Sequence, residues 1–187
     1  MKKAILIFTT LFLFLSMTNY LAVCSKSIGK LEITSPSFQN NGIIPDKHAC
    51  DILGNDKSPP LTFSNIPEST KSFALILDDP DAPGRTLNHW VIFNIPVALG
   101  GLQEDIPRDS EFDSGTRQGT NGTEQIGYFG PCPPPKETHR YVFKVFALDT
   151  VLNLELPANK KQLLGAIRKH ILGRGKLVGL YKNNTNF

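Results

Sequence analysis

The sequence predicts a mainly β domain, an antiparallel sandwich or barrel with a single helix close to its C-terminus. Three observations carry that prediction. From Lys30 onward, short runs rich in β-branched and aromatic residues recur, each bounded by Gly, Pro, Asn, Asp or Ser. No segment of helical length and 3.6-residue periodicity separates them, so the crossover helices that a parallel sheet requires are missing. One helical pattern does occur, but only near the end of the chain.

The runs follow in order. "KLEITSPSF" opens with Leu31 and Ile33 alternating against Glu32 and stops at Ser35-Pro36. "LTFSNIP" comes next, then "SFALILDDP", whose apolar stretch from Phe73 to Leu77 is continuous. "HWVIFNIP" and "RYVFKVFALD" add two further strands. Between Gly100 and Gly127 the composition turns to Gly, Asp, Ser, Thr, Gln and Asn, which predicts a long surface connection. In "NKKQLLGAIRKHILGRG" the apolar residues Leu163, Leu164, Ile167, Ile171 and Leu172 are spaced by three and four, with Asn159 as N-cap and Gly173 as stop. His170 falls inside this segment and reads as a surface or partly buried residue rather than a ligand. A final strand, "KLVGLY", returns to the sheet.

The first residues read as an export signal. Met1-Lys2-Lys3 is a basic start, and Ala4 to Leu15 follows as 12 uncharged residues, the length of a signal-peptide apolar region and too short to span a bilayer. The expected division is a signal peptide at 1–23 and one domain at 24–187, which leaves 187 − 23 = 164 residues for a single core. Leu21-Ala22-Val23-Cys24 is similar to a bacterial lipobox, making Cys24 a candidate for lipidation and membrane attachment, although Val23 stands where that motif usually has a small residue. The formal charge is 20 − 17 = +3, and 18 − 17 = +1 without Lys2 and Lys3. So near-neutral a balance argues against nucleic acid as a partner.

Cys50 and Cys132 remain as an even pair in a compartment that permits disulfides. They stand 132 − 50 = 82 positions apart, and a bridge over that span contributes at most about 4.5 kcal/mol in the chain-entropy picture. The residues leave open whether they bridge or remain two thiols. Neither lies in a CxxC or comparable spacing, so no metal site is expected.

Polar residues gather where the apolar runs begin and end. Asp78, Asp79 and Asp81 follow "FALIL", His89 precedes "WVIFNIP", and His139 precedes "YVFKVFALD". If the strands pair antiparallel, these ends meet at one edge and the five share a pocket. Two X-Pro steps in "DDPDAPGR" hold Asp79 and Ala82 extended, and either proline is a candidate for a cis bond. Carboxylates with imidazoles suit acid–base chemistry or capture of a polar, protonatable ligand. No Ser or Cys sits in a nucleophile-elbow context and no Gly-rich phosphate loop is present, so no cofactor is expected. "GPCPPPKETHRY" is a stiff segment, since each proline ring fixes φ and little entropy is lost on ordering.

"DPDAP" (79–83), "HWVIFNIP" (89–96) and "GPCPPPKETHRYVFKVFALD" (130–149), in that order, resemble the phosphatidylethanolamine-binding protein family in its bacterial Raf-kinase-inhibitor-like branch. The likeness runs over nearly the whole chain after the signal segment and includes "SPPL" (58–61). It implies two antiparallel sheets in a Greek-key arrangement and an anion pocket at one end, built here from Asp79, Asp81, His89, Gly130, Pro131, His139 and Tyr141. In that pocket the histidines and the tyrosine would donate to a phosphate while the carboxylates orient the rings or accept from a ligand ammonium. Leu87-Asn88 stands before His89 where the family commonly has an aromatic nearby, which implies a more open rim. The expected function is that of an exported, non-enzymatic binding protein for a small phosphate-bearing or anionic ligand. The alternatives are an inhibitor that contacts a protease or kinase, and a hydrolase using the acid and histidine cluster.

Overall fold

The computed structural model describes residues 28–186, so the expected signal segment and Cys24 lie outside the described residues. The described residues build two sheets and one α-helix. In order the strands are β1 (Gly29–Lys30), β2 (Glu32–Thr34), β3 (Gly42–Ile43), β4 (Leu61–Ser64), β5 (Ser72–Asp79), β6 (Leu87–Pro96), β7 (Gly101–Leu102), β8 (Arg117–Gln118), β9 (Thr138–Leu148) and β10 (Ile171–Lys182), with α1 (Lys160–Ile167) before the last strand. Seven strands form the larger sheet in the order β1-β10-β9-β5-β6-β8, with β3 also on β10, and β2-β4-β7 form the smaller one. Pairing is antiparallel except that β1 and β3 both run parallel to β10, because the chain leaves that edge to build β2 in the other sheet and later rejoins it.

β5 is buried at every position, which explains its unbroken apolar run. Successive side chains point to opposite faces. Phe73, Leu75 and Leu77 therefore enter the core shared with Leu31, Ile33, Leu61 and Phe63 of the smaller sheet. Ala74 and Ile76 instead pack with Leu163 and Ile167 of α1. The larger sheet thus has the smaller sheet on one face and the helix on the other.

The helix is shorter than its apolar spacing predicts. It starts as expected, with the Asn159 side chain accepting from Gln162 N and the Gln162 side chain returning to Asn159 N, but it ends at Ile167. Ile171 and Leu172 open β10 instead, which pairs with β9 over almost its whole length. Gly173 is therefore no helix stop: a Cβ there would lie 2.7 Å from Pro67 Cγ, and one on Gly175 would lie 2.6 Å from the Leu31 carbonyl oxygen. These glycines allow neighbouring chain to cross close over the strand. His170, in the turn between helix and strand, is half-buried with Nδ1 2.8 Å from Asp149 Oδ1.

The stretch from 100 to 127 is less open than its composition predicts. It supplies β7 and β8, and Gln118 is fully buried, accepting from Trp90 Nε1 at 2.7 Å and donating to the carbonyls of Pro107 and Asp109. The cis X-Pro bond among the described residues is Leu156–Pro157, so both prolines of "DPDAP" are trans.

Cys50 and Cys132 form a disulfide with Cα atoms 5.5 Å apart, tying the segment after β3 to the proline loop. Replacing both cysteines by alanine is expected to lower unfolding free energy by about 2–4 kcal/mol, as read from urea denaturation. Thiol labelling of the denatured, unreduced protein is expected to leave both positions unmodified; labelling at either would show the bridge absent in solution.

Candidate functional site

The alternation along β5 continues past its apolar part and separates two neighbouring carboxylates. Asp78 turns to the helix side, where Lys144 Nζ at 2.8 Å and Lys160 Nζ at 2.7 Å hold it. Burial would favour its neutral form, but the two ammonium groups outweigh that and keep the carboxyl below its usual range. Asp78 therefore does not join the cluster expected of it. Asp79 turns to the sandwich side, 2% exposed, with Oδ2 2.7 Å from His139 Nδ1 and Oδ1 accepting from Asp81 N at 2.8 Å.

His89 reaches the same side through an irregularity. Leu77 pairs with Trp90 and Asp78 with Asn88, so His89 is the extra residue of a β-bulge in β6. A bulge re-aims the side chain it carries. The ring stacks on Phe129 with centroids 5.1 Å apart and lies perpendicular to Tyr141 with centroids 5.2 Å apart. Phe129 thus supplies, from the loop before the prolines, an aromatic neighbour that the sequence lacks ahead of His89. Asn88 is buried there and donates to the carbonyls of Leu77 and Trp90.

Nδ1 of His89 lies 2.8 Å from the Phe129 carbonyl, while Nε2 is closed off from solvent and has no hydrogen-bond partner. The Gly130 carbonyl lies near enough to favour the charged ring without reaching bonding geometry. Burial dominates nonetheless and pulls the pKa of His89 below 6.5, against the Phe129 carbonyl and the Asp79 carboxylate. An orphaned buried polar atom is rare in a folded protein. His48 has another such nitrogen, but Glu104 Oε2 stands 3.8 Å from it.

His139 is in the opposite situation. Nδ1 faces Asp79, and Nε2 is 3.0 Å from Glu137 Oε2. Burial opposes its charge, but the two carboxylates prevail and raise its pKa above 6.5. With both nitrogens engaged, His139 orients Asp79 and offers no donor to a ligand in this conformation. Tyr141, fully buried two residues on and on the same face of β9, accepts from Cys132 N at 3.2 Å. Burial and the nearby Asp79 carboxylate push its pKa well above 10.

Asp81 sits at the rim. Arg140 grips it with Nε–Oδ2 at 2.8 Å and Nη2–Oδ1 at 2.6 Å, and its backbone N adds a third bond. These bonds, set against slight burial, hold Asp81 at about 2. Gly130 and Pro131 are tied to the segments at 56 and 48–50, the Pro131 carbonyl accepting from Cys50 N. The Gly130 N–H goes to Asp56 Oδ1 at 2.7 Å, and a Cβ at residue 130 would lie 2.5 Å from the His48 carbonyl oxygen, so close packing on the 48–50 segment demands glycine. Asn183 fixes the loop from the other end, donating to the Pro133 carbonyl at 2.8 Å.

The structure therefore brings together Asp79, His89, His139 and Tyr141, with Gly130 beside them and Asp81 at the edge, while the Pro131 carbonyl turns to Cys50 N. Sequence reasoning missed Phe129, Glu137 and Arg140. The last two flank His139, and only their partners reveal their parts. Among the described residues, no group of three or more His, Cys, Asp or Glu is placed to hold a metal ion.

A two-sheet β domain with a buried polar cluster at one sheet end defines a class, and comparison with known proteins supplies the family. Residues 34–182 match the family model of phosphatidylethanolamine-binding proteins. The UPF0098 protein of Methanothermobacter thermautotrophicus is 46% identical over 152 residues, 81% of this chain and 99% of the relative. That of Aquifex aeolicus is 45% identical over 157 residues, 82% of this chain and 90% of the relative. Among solved structures, E. coli YbcL superposes with a TM-score of 0.75 at 30% identity, covering 82% of this chain and 99% of its own. A Chlamydia trachomatis chain named for its homology to phosphatidylethanolamine-binding proteins gives 0.75 at 36% identity, covering 83% and 99%. The chain belongs to the phosphatidylethanolamine-binding protein family.

The two histidines should titrate on opposite sides of 6.5 when followed by NMR, His139 above and His89 below. By linkage, His139 contributes stability that is complete below 6.5 and lost as pH rises through its folded pKa. His89, kept neutral by burial, contributes stability that is present above 6.5 and lost as pH falls through its own. Asp79→Asn removes the larger attraction on His139 and is expected to lower its midpoint by about one pH unit or more. An unmoved midpoint would show that the Asp79 contact does not form in solution.

Proposed function

We propose that this chain is an exported, non-enzymatic binding protein that holds a small phosphate-bearing ligand against His89, Tyr141 and Asp79. The observation that carries this reading is His89 Nε2, a buried ring nitrogen without a hydrogen-bond partner between Phe129 and Tyr141. A polar atom so placed costs free energy in the empty state and recovers it when a ligand fills the position. Tyr141 closes one side of this position, its hydroxyl kept protonated by burial and by the Asp79 carboxylate. The ligand reaches this position by displacing side chains at the rim, where Glu137 and the Arg140–Asp81 pair are the exposed groups. Family membership supports the choice of a phosphoryl group.

Export is supported by the basic and apolar order of residues 1–15 and by a disulfide, which is rare in reducing compartments. Attachment to a membrane follows only if Cys24 carries a lipid.

His89→Ala is expected to weaken binding of inorganic phosphate at least tenfold in titration calorimetry, with the cooperative thermal transition retained. The unaltered chain is expected to bind without turning over phosphate esters. Equal affinity in the variant would remove His89 from the site, and saturable release of phosphate would make the protein an enzyme.

A further inference from the structure

Resting on that reading, we infer that the site selects phosphate that still carries a proton, inorganic phosphate or a small phosphate monoester, over phosphodiesters and sulfate. A carbonyl oxygen can only accept, so Nδ1 of His89, 2.8 Å from the Phe129 carbonyl, must carry the hydrogen. In the neutral ring Nε2 is then a bare lone pair. The orphaned group is an acceptor, and what satisfies an acceptor is a donor.

The surrounding charges give the same answer. Facing His89 are Asp79 from β5, the Tyr141 ring from β9, and the Phe129 and Gly130 carbonyls from the loop; Asp78 acts from the far face of β5. Asp78 is already held by Lys144 and Lys160. The remaining ring comprises carboxylates Asp79, Asp81 and Glu137 against the cations His139, both of whose nitrogens face a carboxylate, and Arg140, whose Nε and Nη2 go to Asp81. The formal sum is 2 − 3 = −1. A fully ionised phosphate or sulfate entering here meets cations already paired with carboxylates, in a ring whose charge sum is negative. Charging His89 from solvent would add a cation, but burial works against it.

A monoprotonated phosphate resolves both difficulties. Its P–O–H donates to His89 Nε2, and it brings one negative charge rather than two. If the proton passes to Nε2 in the complex, the total proton count is unchanged. A phosphate monoester has its second ionisation at about pH 6, so part of it keeps a proton near neutrality. A phosphodiester has given up its only acidic proton far below that pH, and so has sulfate.

The test is calorimetry on the protein without its signal segment, at several pH values and in buffers of different ionisation enthalpy. Inorganic phosphate, sulfate, phosphoethanolamine and glycerophosphoethanolamine serve as probes. The last two carry the same ammonium on a monoester and a diester, so they separate a free phosphoryl compound from a lipid headgroup. The expected result is phosphate affinity falling about tenfold per pH unit above the second ionisation of phosphate. Uptake of one proton per phosphate dianion should accompany it, and sulfate and the diester should bind at least tenfold more weakly than their counterparts at pH 7.5. His89→Gln, which replaces the lone pair with an amide able to donate, is expected to abolish the preference of phosphate over sulfate while retaining the wild-type thermal transition. Phosphate binding without proton uptake, or a diester bound as well as the monoester, would overturn the proton requirement while leaving the pocket in place. Failure of all four probes to bind would overturn the pocket itself.

Discussion

The burial of β5 on both faces is the constraint on which the molecule depends. Its odd residues fill the space between the sheets and its even residues lie under the helix, so it can pack only with alternating apolar side chains on either side. The same alternation continues into Asp78 and Asp79 and sends two adjacent carboxylates to opposite faces. Each is nearly inaccessible to water and each requires its own counter-charge. Two lysines answer one, and a histidine answers the other.

That division separates structure from chemistry. The Asp78 group is closed, because Lys144 comes from the neighbouring strand and Lys160 from the first turn of the helix, so the carboxylate joins helix to sheet. The Asp79 group is open-ended. It uses His139 to hold the carboxylate in place, and beside it stands an imidazole whose outer nitrogen is not used. Local irregularity makes the difference: the bulge at His89 turns its ring toward the sandwich interior, beside Tyr141, where regular alternation next to Trp90 would have turned it away. The disulfide, the Asn183 contact and the glycine at 130 hold the proline loop against this group.

Much of this was legible in the sequence, and the exceptions have physical causes. The strands at 61–67, 72–80, 89–96 and 140–149 announce themselves because apolar run length and turn residues are local properties. The end of the helix did not, since Ile171 and Leu172 fit a helical stripe and a strand equally well. What decided was an available partner, the free edge of β9. Asp78 was grouped with Asp79 because sequence places them side by side, whereas a pleated strand places them apart. His139 read as a donor to a ligand, yet Glu137, two residues before it, takes the nitrogen that would have donated.

By itself the sequence determined the β class, the single helix with its Asn159 cap, the candidate pair Cys50 and Cys132, and the set of residues near the site. These depend on neighbours within a few positions or on residue type. Only the tertiary structure decided which carboxylate meets which cation, which face His89 takes, and which of its nitrogens stays without a partner. Those outcomes depend on strand register and on groups 40 to 82 positions away, such as the Phe129 carbonyl and Lys160, and no local pattern encodes them.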